Sequence, residues 1–165
     1  MDAIDIRLAR LNNWTPEEAY AQLRRCCGSS QWAHRMEQAR PFASVTELEA
    51  SADRIWASCS REDWLDAFAT HPRIGSKSEN RWSQQEQSCV AVAVAPILEA
   101  LAEANCAYAA KFGYTFLICA TGKSAAEMLG ILEQRLSNDA TVELHNAAEQ
   151  QRLILRLRLR KLLSE

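Results

Sequence analysis

The feature that most constrains the fold of this chain is a repeated signal for the start of an α-helix. Five times, a Ser or Thr is followed three residues later by Glu or Asp. In this pattern, the capping box, both side chains bond amide groups that the first helical turn leaves without partners. Each pair opens a stretch with apolar residues at helical spacing, which predicts a mainly helical chain. The pairs are Thr15 and Glu18, Ser44 and Glu47, Ser60 and Asp63, Ser83 and Glu86, and Ser124 and Glu127.

Glycine and proline mark where these helices end. We expect Gly28 and Gly113 each to close a helix, because glycine adopts the left-handed cap conformation without steric cost. Pro41 is expected just after a helix. Pro96 is expected in the first turn of a new helix that follows residues 84–94, since proline costs about 3 kcal/mol in a helix interior.

One apolar run departs from the helical pattern. Residues 114–120 lie between Gly113 and Gly122 and are predicted to be extended. A single strand cannot form a sheet, so its backbone groups must find other partners, and some amides are left for a ligand. The length of 165 residues fits one domain. The predicted fold is therefore all-α, a single-domain helical bundle over residues 1–165 with one short extended segment in its core.

Composition and charge exclude several classes of function. The 19 Lys and Arg against 21 Asp and Glu give a net charge of −2, which disfavours nucleic-acid binding. The longest apolar stretch, residues 89–98, is far shorter than the roughly 20 residues of a membrane span. The sequence starts without the pattern of a secretory signal, so a cytoplasmic protein is expected.

The cysteines are predicted to act as small apolar residues. None has the C-x-x-C spacing of a zinc or redox site, and a reducing compartment would keep them as thiols. We therefore expect no metal. The six cysteines are Cys26, Cys27, Cys59, Cys89, Cys106 and Cys119.

His71 is the first candidate for catalysis. Pro72 follows it directly and keeps the backbone of His71 out of helical geometry, just after a predicted helix. An imidazole on a stiff turn suits general acid–base chemistry. The alternative is an ordinary surface or helix-cap histidine.

The segment from Ser83 to Gln87 has two compatible interpretations. Ser83 and Glu86 are fully explained as a capping box. A helix N-terminus also presents unbonded amides and a positive dipole end, so the same residues could frame a pocket for an anionic or amide-rich ligand.

Arg158 is the most informative charge in the last part of the chain. On a helix, Ile154, Leu155 and Leu162 fall on the same side as Arg158, whereas Arg160 points away. An arginine within an apolar arc needs an anion. The alternative is that its side chain reaches out to the surface.

Six short motifs occur in a definite order along the chain. They are His71-Pro72-Arg73-Ile74-Gly75, Ser83-x-x-Glu86-Gln87, Asn105 with Tyr108 and Phe112-Gly113, Phe116-Leu117-Ile118-Cys119, Gly122-Lys123-Ser124, and Leu157-Arg158-Leu159. In this combination the chain resembles the 2-oxo-4-hydroxy-4-carboxy-5-ureidoimidazoline (OHCU) decarboxylases of purine catabolism. The resemblance implies an all-α fold and the last step from urate to allantoin, in which OHCU loses carbon dioxide and gives (S)-allantoin without a cofactor.

The resemblance also implies roles for individual residues. His71 would be the catalytic acid or base, Glu86 its partner at the reacting centre, and Arg158 a substrate anchor. The remaining residues implied in substrate binding are Pro72, Ser83, Gln84, Gln85, Gln87, Leu117, Ile118, Cys119, Ala120 and Thr121.

Two alternatives remain open from the sequence. One is a helical module that binds another protein, which would scatter His71, Glu86 and Arg158 and expose a large apolar patch. The other is a hydrolase of a related ureido compound, which would not release carbon dioxide from OHCU. For partners, we expect a small-molecule substrate, no nucleic acid and no membrane, with a homodimer as one candidate for the oligomeric state.

Overall fold

The structure, a computed structural model, describes residues 3–74 and 95–165. These residues form eight α-helices and, within those two ranges, no strand. This confirms the predicted all-α fold class. The helices are α1 (Ala3–Asn13), α2 (Pro16–Cys26), α3 (Ser30–Gln38), α4 (Val45–Ala57), α5 (Arg61–Ala69), α6 (Ala95–Phe112), α7 (Ala125–Arg135) and α8 (Ala140–Leu162).

Four of the predicted capping pairs lie in the described ranges, and each begins a helix. Thr15 accepts a hydrogen bond from the amide of Glu18, whose carboxylate accepts from the amide of Thr15 in return. Ser60 with Asp63 and Ser124 with Glu127 make the same exchange, and Ser44 caps α4. The fifth pair, Ser83 and Glu86, lies outside the described residues.

The predicted helix boundaries hold in three places and fail in one. Pro41 comes just after α3, which ends at Gln38. Gly113 follows α6 with a φ of +83°, and Pro96 is the second residue of that helix, as predicted. The left-handed cap predicted at Gly28 is wrong. Cys27 closes α2 in an extended conformation, because the chain runs directly into Ser29, the N-cap of α3. The helical stretch expected at residues 84–94 lies outside the described residues.

Residues 115–120 have no regular secondary structure and are largely buried. Phe116 and Ile118 belong to a core cluster that also contains Tyr108, Met128 and Leu132. The rings of Tyr108 and Phe116 meet edge to face at 5.3 Å between centroids, a favourable arrangement for aromatic pairs. A non-helical segment within a helical core is thus confirmed.

The chain divides into two compact units. The N-terminal unit comprises Met1–Ala67 and Arg152–Glu165, and the central unit comprises Phe68–Gln151. In the N-terminal unit, α3 packs against both α2 and α4, and the buried indole of Trp32 donates to the carbonyl of Ala52 at 3.1 Å. In the central unit, α6 packs against α7. The prediction of a single domain stays a prediction.

A membrane span is not found among the helices described. None of them is long and apolar enough to cross a bilayer.

Candidate active site

His71 lies where the sequence places it, two residues beyond the end of α5. Its backbone N–H donates to the carbonyl of Phe68 at 3.1 Å, and Pro72 follows at once. The residue is half-buried in the central unit. The turn therefore holds the backbone of His71.

Gln151 makes a polar contact with His71 that sequence analysis missed. Its Oε1 lies 2.6 Å from Nε2 of His71, and the residue is fully buried on α8, in the same unit. The signal was present in the sequence. Gln151 lies between Ala147 and Leu155 on one helix face, so it is a polar residue within an apolar arc, as Arg158 is.

The backbone of residues 117–121 is bonded in part by side chains of the central unit. The carbonyl of Leu117 accepts from Arg135 at 2.7 Å, and the amide of Cys119 donates to Oε1 of Gln150 at 2.9 Å. The carbonyl of Cys119 accepts from Lys123 at 3.0 Å. Side chains thus replace the missing neighbouring strand, as backbone satisfaction requires. The role of residues 117–121 in substrate binding stays a prediction.

Two consecutive glutamines on α8 each contact one predicted site residue. Gln151 contacts the ring of His71, and Gln150 holds the backbone of Cys119. Because the two glutamines are neighbours on one helix, the imidazole and the buried segment are fixed to the same turn of α8. Within the central unit, His71 and the backbone of Cys119 are thus each bonded to the same turn of α8.

A buried ionic network contacts residues 117–121 through Arg135. Glu143 is fully buried and accepts hydrogen bonds from Arg135 (Nε at 2.8 Å), Asn138 (2.9 Å) and the hydroxyl of Tyr108. Burial acts to raise the pKa of Glu143, but these hydrogen bonds outweigh it and hold that pKa below its ordinary value. Burial and the bond to Glu143 together raise the pKa of the Tyr108 phenol. Glu143 is therefore a charged carboxylate. It holds Arg135 in the position from which Arg135 bonds the carbonyl of Leu117.

Arg158 lies in the N-terminal unit and is only 3% exposed. Ile154, Leu155 and Leu162 are buried on the same helix, whereas the side chain of Arg160 is 61% exposed. The predicted position within the apolar arc is confirmed, and the alternative of a side chain that reaches the surface is wrong. Its role as substrate anchor stays a prediction.

The surroundings of Arg158 include two buried thiols. Burial raises the pKa of Cys26, and the positive charge of Arg158 only partly opposes this effect. Burial likewise raises the pKa of Cys27 to about 12. Both thiols therefore stay protonated at neutral pH, as expected of small apolar residues.

The cysteine prediction holds only in part. Cys59 is buried like Cys26 and Cys27, but Cys106 is exposed on α6 and Cys119 is partly exposed. Because Cys106 is exposed, burial gives no support to its interpretation as a small apolar residue. Cys89 lies outside the described residues. In residues 3–74 and 95–165, no three His, Cys, Asp or Glu side chains group as metal ligands would.

Several predicted site residues lie outside the part of the chain that the structure describes. They are Ser83, Gln84, Gln85, Glu86 and Gln87.

The described residues define a class of helical protein that has a histidine held on a turn and a buried segment without regular secondary structure. Residues 12–160 match the family model described as OHCU decarboxylase. The match covers most of the chain, so the chain belongs to the OHCU decarboxylase family.

Curated relatives of the chain are consistent with this assignment. The chain is 42% identical over 148 residues to the uric acid degradation bifunctional protein TTL of Arabidopsis thaliana, covering 85% of this chain and 46% of that protein. It is 28% identical over 134 residues to the 2-oxo-4-hydroxy-4-carboxy-5-ureidoimidazoline decarboxylase of Haloferax volcanii, covering 79% and 80%. The chain spans less than half the length of the bifunctional relatives that it matches.

The chain is also similar to solved structures. A crystal structure of OHCU decarboxylase in the presence of (S)-allantoin matches with a TM-score of 0.79 and 41% identity, covering 86% of this chain and 96% of that one. A structure of (S)-allantoin synthase matches with a TM-score of 0.74 at 18% identity, which supports the fold alone.

Proposed function

We propose that this chain catalyses the decarboxylation of OHCU to (S)-allantoin in urate degradation. The observation that carries the proposal is the match to an OHCU decarboxylase solved in the presence of (S)-allantoin, of which the chain covers 96% at 41% identity. Membership of a decarboxylase family also argues against a helical interaction module.

The chemistry suits the residues that the chain offers. In OHCU, the bond between the ring carbon and the carboxylate breaks and carbon dioxide leaves. The released electron pair forms a C=C bond to the neighbouring ring carbon, and the former C=N nitrogen takes up a proton. A proton delivered to one face of that neighbouring carbon, with loss of the hydroxyl proton, then gives the carbonyl of the product as a single enantiomer. The protein's tasks are to orient the ring and to move protons, for which positioned side chains suffice.

Each task has a candidate residue. His71 exchanges the proton with the substrate, and its half-buried position on a stiff turn supports this role. Glu86 is its proposed partner. Arg158 anchors the substrate, since a buried guanidinium can bond a carboxylate or ureido oxygen through two N–H groups. Pro72, with the residues of the two segments 83–87 and 117–121, completes the proposed binding site.

The His71→Asn variant tests the proposal. Freshly generated OHCU is supplied, and both carbon dioxide release and the enantiomer of allantoin are followed. We expect wild-type protein to release carbon dioxide and form (S)-allantoin, and His71→Asn to be slower by about 10²- to 10⁴-fold, the usual contribution of a general acid–base group.

The matched control is His145→Asn, which changes an exposed histidine of the same unit and should leave turnover unchanged. An unchanged rate in folded His71→Asn protein would contradict the role of His71. Consumption of a ureido compound without carbon dioxide release would favour the hydrolase instead. The homodimer and the cytoplasmic location stay predictions. Light scattering would measure the oligomeric state.

A further inference from the structure

Gln151 combines complete burial with an incomplete set of hydrogen bonds. Its Oε1 contacts His71, but its own Nε2 is buried and has no hydrogen-bond partner among residues 3–74 and 95–165. An unbonded buried polar group costs about 1–3 kcal/mol. An apolar side chain of similar size would avoid this cost between Ala147 and Leu155. Packing therefore gives no reason for a glutamine here, whereas the contact with the imidazole does.

The contact has a defined consequence for the histidine. An amide oxygen can only accept a hydrogen bond, so Nε2 of His71 is the donor and carries a hydrogen. A neutral imidazole has one N–H, which leaves Nδ1 as the nitrogen that gains or loses a proton. The backbone N–H of His71 is bonded to Phe68 as well. The residue is thus held at its backbone and at one ring nitrogen.

We propose that Gln151 is a positioning residue for His71. It fixes the ring orientation and the tautomer with hydrogen on Nε2, so that Nδ1 exchanges the proton during the reaction. The catalytic part of this inference rests on the proposed function. The tautomer itself is a property of the protein without substrate, so the two can fail separately.

The tautomer is measured by ¹⁵N NMR of the imidazole side chains above the titration range of histidine. His71→Asn identifies the signals of His71 among the three histidines. We expect the wild-type ring to carry hydrogen on Nε2. Gln151→Met removes the acceptor and should give a mixture of both tautomers, whereas Gln151→Glu keeps an acceptor oxygen and should keep the wild-type tautomer.

Turnover separates a positioning role from a purely structural one. At the pH optimum of each variant, kcat of Gln151→Met should fall about tenfold, and KM should change little. A tenfold fall in rate corresponds to the loss of about one hydrogen bond. Gln151→Glu should retain more activity than Gln151→Met. A structural role predicts the reverse order, because a buried position tolerates Met better than Glu. The control Gln134→Met changes an exposed glutamine of α7 and should keep wild-type kcat.

Two results would overturn the proposal. One is a wild-type His71 ring with hydrogen on Nδ1. The other is a Gln151→Met variant with wild-type tautomer and kcat. If Gln151→Glu does not fold, the Met variant decides by both measurements. If the wild-type protein does not turn over OHCU, the proposed function fails, and the tautomer measurement still decides whether Gln151 sets the state of His71.

Discussion

At the scale of single residues, the informative positions are polar side chains on the buried face of α8. Glu143 and Gln151 are fully buried and Arg158 nearly so. Burial of a polar group is unfavourable unless a partner compensates it, so each such residue points to a specific contact. For Glu143 that contact is an ion pair with Arg135, and for Gln151 it is the ring of His71.

Exchange of Arg158 for lysine tests whether its guanidinium binds substrate. Lysine keeps the charge but not the planar fork, so Arg158→Lys should lower kcat/KM about ten- to a hundredfold, the value of a charge-assisted hydrogen bond. Arg160→Lys is the control, because Arg160 is mostly exposed and pairs with Glu49 at 2.7 Å. Steady-state kinetics of both variants give the comparison. Equal behaviour of the two would remove Arg158 from the substrate site.

At the scale of elements, the buried segment of residues 115–120 depends on the helices around it. It has no neighbouring strand in the described part of the chain, and Arg135 of α7 bonds its Leu117 carbonyl instead. Glu143, near the start of α8, holds Arg135 in turn. One ionic network therefore positions the segment that is predicted to line the site.

Glu143→Gln tests how much the network stabilises the fold. The change leaves the buried Arg135 without its counter-charge, so the free energy of unfolding at pH 7 should fall by about 3–5 kcal/mol. Urea denaturation measures it. The control Glu133→Gln alters an exposed carboxylate on α7 and should change stability by less than about 0.5 kcal/mol.

The same network predicts an acid dependence of stability. Because the pKa of Glu143 is lower in the folded than in the unfolded protein, its stabilisation is complete above the ordinary glutamate pKa of about 4.3. It is lost as pH falls through the lower, folded-state pKa. The difference in unfolding free energy between wild type and Glu143→Gln should therefore shrink in acid. A difference independent of pH would contradict the charged state of Glu143.

At the scale of the whole molecule, the described residues are all helical or irregular, and the chain divides into two compact units. The last helix, α8, contributes residues to both compact units, since its Gln151 belongs to the central unit and its Arg152 to the N-terminal unit. Each unit has its own core, with Trp32 buried in the first and Tyr108 in the second.

Activity is predicted to resist chelators. The ring C=N of the substrate accepts the electron pair, so the proposed reaction needs no metal. Burial also raises the pKa of Cys27 to about 12 and that of Cys59 to about 11, which keeps these thiols protonated and poor as metal ligands. Turnover is measured before and after dialysis against EDTA. Loss of activity that zinc restores would show this prediction to be wrong.

The sequence by itself determined those features of the structure that depend on local interactions. The helix starts at Thr15 and Ser124 follow from bonds between residues three apart, and the burial of Arg158 follows from the 3.6-residue period of a helix. The cap at Gly28 was predicted wrongly, because the next helix begins too soon for a left-handed turn. Ser29 is already its N-cap.

Only the tertiary structure decided which buried polar groups meet. His71 and Gln151 are 80 residues apart in the chain, and Tyr108 and Glu143 are 35 apart. Helical periodicity marks Gln151 and Glu143 as polar residues on a buried face, but it carries no information about the partner across the core. The partner of each polar group depends on how helices that are distant in sequence pack together. Only this packing brings His71, in the loop after α5, into contact with Gln151 of α8.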